Sequence, residues 1–201
     1  MAVAAAGAVL GIHPFNQPDV QLAKDLSHQA MERGVGETAR EGKAGVVEVG
    51  REEILKQAIS ALLNEVRLGD YVAIQAYLAP TPETTVTLHD IRLTLRDRLR
   101  VATTFGCGPR LLHSTGQLHK GGPNTGIVLQ IIDEPEKDLP VAETNYTFGS
   151  LIHAQALGDY QALKQRGRRV LRVHLGNHVA EELKRVQDDI PGSRDGSLRR
   201  G

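Results

Sequence analysis

The sequence predicts an α/β protein, and three observations carry that expectation. Short runs dense in aliphatic residues, YVAIQAYL (71–78), VATTF (101–105), GIVLQII (126–132) and RVLRVHL (169–175), read as buried strands. Segments with helical periodicity stand between and after them. Turn signals such as Gly69-Asp70, Pro80 and Pro82 separate the two kinds of element. Strand and helix in alternation imply a layered sheet, here with about four principal strands.

The individual elements follow the same logic. Met1–Leu10 is an apolar run without a positively charged flank and too short to span a bilayer, so it is expected inside the core. Asp19 or a neighbour is positioned to cap a helix through Val20, Leu22, Ala23, Leu26 and Ala30, ended by Gly34 and Gly36. Residues 36–50 mix glycine and charge and read as a surface connection in which VVEV forms a short strand. Ile54, Leu55, Ala58, Ile59, Leu62, Leu63 and Val66 form one apolar stripe, the signature of an amphipathic helix. Leu88, Ile91, Leu95 and Leu99 mark another, whose Arg96, Arg98 and Arg100 form a solvated face. Further helices are expected over 148–166 and through Val179, Leu183 and Val186, before a polar, disordered tail from Pro191. LGDY occurs at 68–71 and 157–160, too little to establish a duplication.

Composition narrows the function. The 201 residues hold 24 Lys+Arg and 24 Asp+Glu, so a zero net charge gives no general pull on nucleic acid or anionic lipid. Aromatic residues make up 3%, too few for base-stacking platforms. The single cysteine, Cys107, excludes an internal disulfide and a multi-cysteine metal site, and it reads as an inert thiol. That usage fits a reducing cytoplasm.

Chemistry concentrates in TTFGCGPRLLHSTGQLHKGGPNTG, residues 103–126. It joins two strands, where ligands of parallel α/β proteins collect, and it offers Arg110, His113, Ser114, Thr115, Gln117, His119 and Lys120 without one carboxylate. Backbone N–H groups beside Ser114 and Thr115, with Arg110 or Lys120 for charge, suit a phosphate. The order is not that of a P-loop, and the six-residue spacing of His113 and His119 does not match a helical metal pair. A second candidate lies in GIHPFNQPDVQLAKD (11–25), where Gln17 can bridge hydroxyls and Lys24 can steady developing negative charge. Spacing alone favours reading the same two residues as a turn residue and a solvated helix lysine.

GIHPFNQPDVQLAKD resembles the segment F-[DN]-Q-x-G-V-E-x-x-K near the end of the phosphoglucose isomerase catalytic domain, with Asp19 in place of glycine and Gln21 in place of glutamate. Both departures are familiar from the isomerase half of transaldolase/phosphoglucose isomerase fusions. GPRLLHSTGQLHKGGPNTG and YTFGSLIHAQALGDYQAL resemble the same fused class, so the likeness covers nearly the whole chain. It implies part of a glucose-6-phosphate isomerase, interconverting glucose 6-phosphate and fructose 6-phosphate through a cis-enediolate without metal or cofactor. Lys24 and Gln17 fall on active-site positions of that family, and His113 in HSTGQL echoes its HSxxQL order. Arg110, Ser114, Thr115, Gln117, His119 and Lys120 are then the expected substrate-binding groups. The family's carboxylate base and main phosphate-binding cluster lie upstream of the Gln…Lys motif. The expected layout is therefore the end of a sugar isomerase domain (1–35), a linker (36–50), an α/β lobe (51–190) and a tail (191–201). The expected partners are a sugar phosphate and an upstream isomerase portion or second copy, with neither nucleic acid nor membrane. The alternative is a non-catalytic sugar-phosphate binding or regulatory module.

Overall fold

A computed structural model describes residues 1–33, 46–48, 52–134 and 137–191. The elements are α1 (Ala2–Leu10), α2 (Pro18–Glu32), β1 (Val46–Glu48), α3 (Glu52–Asn64), β2 (Tyr71–Tyr77), α4 (Pro82–Leu99), β3 (Ala102–Cys107), a 3-10 turn (Arg110–His113), α5 (Gly116–Gly121), β4 (Gly126–Ile132), α6 (Phe148–Gln165), β5 (Arg169–His174) and α7 (Val179–Asp189). The strands form one all-parallel sheet in the order β1-β5-β4-β2-β3. The four principal strands expected from the apolar runs are β2 to β5, and VVEV supplies the short edge strand. Residues 34–45, which include most of the expected linker, and 192–201 of the expected tail lie outside the described residues.

Two faces of the sheet differ in chemistry. On one, Val72, Ile74, Ile127, Ile131 and Val173 meet Leu55 and Ile59 of α3, Leu88, Ile91 and Leu95 of α4, and Leu183 and Val186 of α7 in a continuous apolar core. This is the stripe packing that the helical periodicity announces. The other face is covered by α6, with α2 packed outside α6 and against α5. It holds only small apolar clusters, Ala73 with Val128 and Leu163, and Tyr77 with Ile132 and Ala156.

Local chemistry sets the helix ends. Thr81 and Thr147 each close a capping box, with Thr84 and Ser150 respectively. Helix α2 starts one residue earlier than Asp19, with Pro18 in its first turn and Gln17 at the cap without a side-chain bond. The orphan N–H of Asp19 is instead taken by Gln117 Oε1 at 3.1 Å, a cap supplied from α5.

The apolar N-terminal run corrects its expectation. It is a helix, but only Gly7 is buried, while Val3, Val9 and Leu10 stand exposed, Val9 by 87%. Apolarity signals a surface that avoids water; nothing within the described residues covers this one. The two LGDY copies occupy unlike settings, a turn entering β2 and the interior of α6, and their aspartates serve separate ion pairs.

The first of these ties two strands across β4. Arg169 donates to both carboxylate oxygens of Asp70, at 2.8 and 3.0 Å, and the Arg67 N–H donates to the same carboxylate at 2.7 Å. The Arg169 hydrogen bond is the main reason the Asp70 carboxyl is held below its usual range, against the opposing effect of burial. A depressed carboxyl stabilises the fold fully above the unfolded value of about 3.9 and loses that contribution as pH falls through the folded value. Asp70→Asn is expected to cost about 1.5–3 kcal/mol at pH 7. Urea melts of both proteins at pH 7 and pH 3 check this: the gap between them narrows at the lower pH.

Candidate functional site

The 3-10 turn Arg110–His113 divides the predicted site in two. On one side lies a groove of about 110 Å³ between α2, the turn and α6. Lys24, Ser27 and His28 reach it from α2, His113 from the turn and Gln155 from α6, over a floor that includes Val20, Met31, Leu112 and Leu151. Lys24 and His113 are both exposed. None of the groove's lining residues is acidic. Gln17, exposed at the start of α2, is not among them.

On the other side lies a wider cleft of about 540 Å³ along β3, the edge strand. It gathers Arg110, Ser114, Thr115 and His119, four of the predicted substrate-binding residues, with Gln75, Thr104 and Cys107. Ser114 Oγ and Thr115 Oγ1 both donate to the Leu111 carbonyl, at 3.2 and 3.3 Å, leaving their lone pairs for another donor. His119 is buried, and desolvation pulls its pKa below the ordinary value, so the ring is neutral at pH 7. Its Nδ1 lies 2.9 Å from the Tyr71 hydroxyl. Burial likewise raises the Cys107 thiol, which keeps it protonated and unreactive, as its sequence context suggests.

Two predicted ligand groups have protein partners instead. Gln117 spends both ends of its amide on Asp19: Oε1 accepts from the backbone N–H, and Nε2 donates to Oδ2 at 2.6 Å. Asp19 is also paired with Arg166. Gln117 is thus a strut between α5 and α2. Lys120 is 1% exposed, and its ammonium is ion-paired with the equally enclosed Asp159 of α6. Its carbonyl accepts from the Arg168 guanidinium. Lys120 therefore lines the groove from beneath but is not a free surface cation.

That ion pair belongs to a polar layer the sequence does not announce. Gln75, Gln130 and Arg172 sit on adjacent strands in direct register, all at most 2% exposed. Gln130 Nε2 donates to the Ala156 carbonyl at 3.1 Å, and the Arg172 guanidinium lies 5.5 Å from the Tyr160 ring centre. Desolvation draws Arg172 down to about 10, still protonated at neutral pH. The Tyr77 hydroxyl is buried near Asp159, and burial, reinforced by that negative charge, holds its phenol well above the usual range. Only the alternation of each strand, read beside the register, puts these side chains on one face.

Strand connections leave in opposite directions from β2 and β4, so a topological switch point lies at their carboxyl ends. Asp133 is buried there, and desolvation raises its carboxyl. The backbone carbonyl of Asp133 accepts from His153 Nε2 at 2.7 Å, which fixes the proton on that nitrogen. Among the described residues no three histidine, cysteine or acidic side chains come together to hold a metal ion. Nor is any described helix long and apolar enough to cross a membrane.

No family model matches the chain, and no curated protein does. Solved structures do, among them a hypothetical protein, TT0462, from Thermus thermophilus. The identity is 23% over 67% of this chain, with a TM-score of 0.51. This chain spans 39% of that protein's length. The likeness establishes the class of fold, an α/β architecture built on a parallel sheet, and reaches no further.

Proposed function

We propose that this chain contributes one side of a glucose-6-phosphate isomerase active site and needs an upstream isomerase portion to complete it. The observation that carries the reading is the groove that Lys24 and His113 share. Its chemistry matches half of what aldose–ketose isomerisation requires. A lysine steadies negative charge on an enediolate, and a histidine passes protons to and from sugar oxygens. Proton transfer between C1 and C2 also needs a base, and the groove has no carboxylate among its lining residues. At about 110 Å³ it is also smaller than the roughly 300–1,000 Å³ of pockets that enclose a small ligand. The exposed apolar residues of α1 suit the same reading: a second polypeptide, the upstream portion or another copy, covers them.

The test is an isomerase assay on the 201-residue chain with and without the upstream portion. Turnover is expected only in the mixture. Lys24→Met is expected to lower kcat of the reconstituted enzyme by about 10²–10³, the usual effect of removing one group that stabilises charge in the transition state. Full turnover by the 201 residues alone, or an unchanged kcat in Lys24→Met, overturns the proposal.

A further inference from the structure

We infer that the cleft along β3 is a second binding site, separate from the Lys24 groove, for a small polyhydroxylated anion: a sugar phosphate or a sugar acid. The inference is independent of the isomerase reading. Gln75 carries it. Its side chain is 1% exposed and lines the cleft, and neither its Oε1 nor its Nε2 finds a hydrogen-bond partner within the protein. A buried carboxamide left without bonds costs about 1–3 kcal/mol, so its place here calls for a ligand that satisfies it. One donor and one acceptor side by side match a group that both gives and takes a hydrogen bond, such as a hydroxyl.

The rest of the cleft sets the ligand's charge. Arg110 is its cation, and none of its lining residues is acidic. Ser114 and Thr115 stand beside Arg110, and the exposed Thr104 hydroxyl lies on the β3 side. Gly106, opposite Gln75 in the sheet register, lines the cleft with the Leu111 side chain packed against it. The ligand therefore places its hydroxyls against Gln75 and Thr104 and its anionic end toward Arg110. The volume of about 540 Å³ falls within the range of small-ligand pockets.

The experiment is an NMR titration of the full chain with ribose 5-phosphate, gluconate, inorganic phosphate and uncharged fructose. Ribose 5-phosphate or gluconate is expected to shift the amides of Thr104, Gly106 and Thr115 and leave those of Lys24 and Ser27 in place. Whichever binds more tightly distinguishes a phosphate from a carboxylate ligand; fructose is expected to bind at least about tenfold more weakly, for want of the charge-assisted bonds to Arg110. Gln75→Met is expected to weaken binding about tenfold, while its thermal midpoint stays level or rises, because the free protein loses no bond. A purely structural glutamine would lower that midpoint. Arg110→Ala, an exposed position, is expected to weaken anion binding about tenfold without touching the fold and keeps the test decisive should Gln75→Met not fold. Binding of inorganic phosphate as tight as that of the sugar derivatives overturns the assignment to a polyol. Shifts confined to the Lys24 groove, or none with any probe at millimolar concentration, overturn the site. Failure of the isomerase assay touches none of these outcomes.

Discussion

Asp159→Asn is expected to destabilise the protein by about 3–5 kcal/mol, the cost of leaving one member of a buried ion pair without the other. The Lys120 ammonium and the Asp159 carboxylate have no exposed side-chain surface, and α6 carries the aspartate over the sheet face on which α5 holds the lysine. Removing the negative charge strands a cation that water cannot reach. For a chain of this length the loss corresponds to a fall in thermal midpoint of roughly 6–20 °C. Chemical denaturation at pH 7 reads the free energy directly, and a loss below about 1 kcal/mol would refute the reading of an uncompensated charge. The double replacement Lys120→Met with Asp159→Leu is expected to recover most of the stability, because well-packed apolar side chains substitute for buried pairs at little cost. That contrast separates a missing charge partner from a disturbed helix, which the double variant would not repair.

The same ion pair shows where sequence reasoning reaches its limit. The apolar runs that became the central strands β2 and β4 were legible because both faces of the sheet are buried there, so these strands need no alternation to announce themselves. The α3 and α4 stripes were legible for the complementary reason, one face dry and one wet. Helix α5 was not: GQLHKG opens and closes on glycine and has no stripe, so 103–126 reads as one long connection. The polar layer was hidden differently. Gln75, Gln130 and Arg172 are single polar residues inside strands, and only the sheet register, with partners far along the chain, sets them in a row. Helix α1 failed in the opposite sense, since its composition states that it avoids water but not which surface it seeks.

The candidate site was half legible. Resemblance brought Lys24 and His113 forward, and the fold places both on one groove although they come from α2 and the turn after β3. Spacing could not have joined them. Residues 103–126 were recognised as chemically rich, but not that the 3-10 turn splits them, sending His113 one way and Arg110, Ser114 and Thr115 the other. Gln117 and Lys120 looked like ligand groups because a sequence shows a side chain's chemistry and not its partner. Gln75, inside an otherwise apolar strand, was a signal that a strict count of polar residues at buried positions could have raised, as was Gln130 in β4.

Gly158→Ala is expected to have an effect opposite in sign to the one helix propensity gives it. Alanine is favoured over glycine inside a helix by about 1 kcal/mol, so an isolated α6 would gain from the change. In the folded chain a Cβ at this position would stand 2.2 Å from Ser27 Oγ, 2.5 Å from the Ala23 carbonyl oxygen and 2.7 Å from the Ser27 nitrogen. Two of those three atoms are backbone, so no rotamer change in α2 relieves the clash. Removing the serine hydroxyl, itself bonded to the Ala23 carbonyl at 2.7 Å, would clear only the first contact. Helix α2 must therefore move away from α6, its main packing partner, at a net cost at or above the upper end of the roughly 1–3 kcal/mol typical of overpacking. The damage is expected to be local, because the apolar core of α3, α4 and α7 lies on the other face of the sheet. Hydrogen exchange resolves it: amides of residues 18–32 are expected to exchange about 100 times faster or more, consistent with a local opening made easier by about 3 kcal/mol or more, while those of β2 and β4 stay protected. Because Lys24 rides on α2 and His113 does not, the same variant should part the two halves of the groove. Lost isomerase activity in a reconstituted Gly158→Ala enzyme whose sheet remains protected would tie that activity to the seating of α2 on α6, whereas full activity with an unchanged exchange pattern would mean that α6 yields and α2 stays in place.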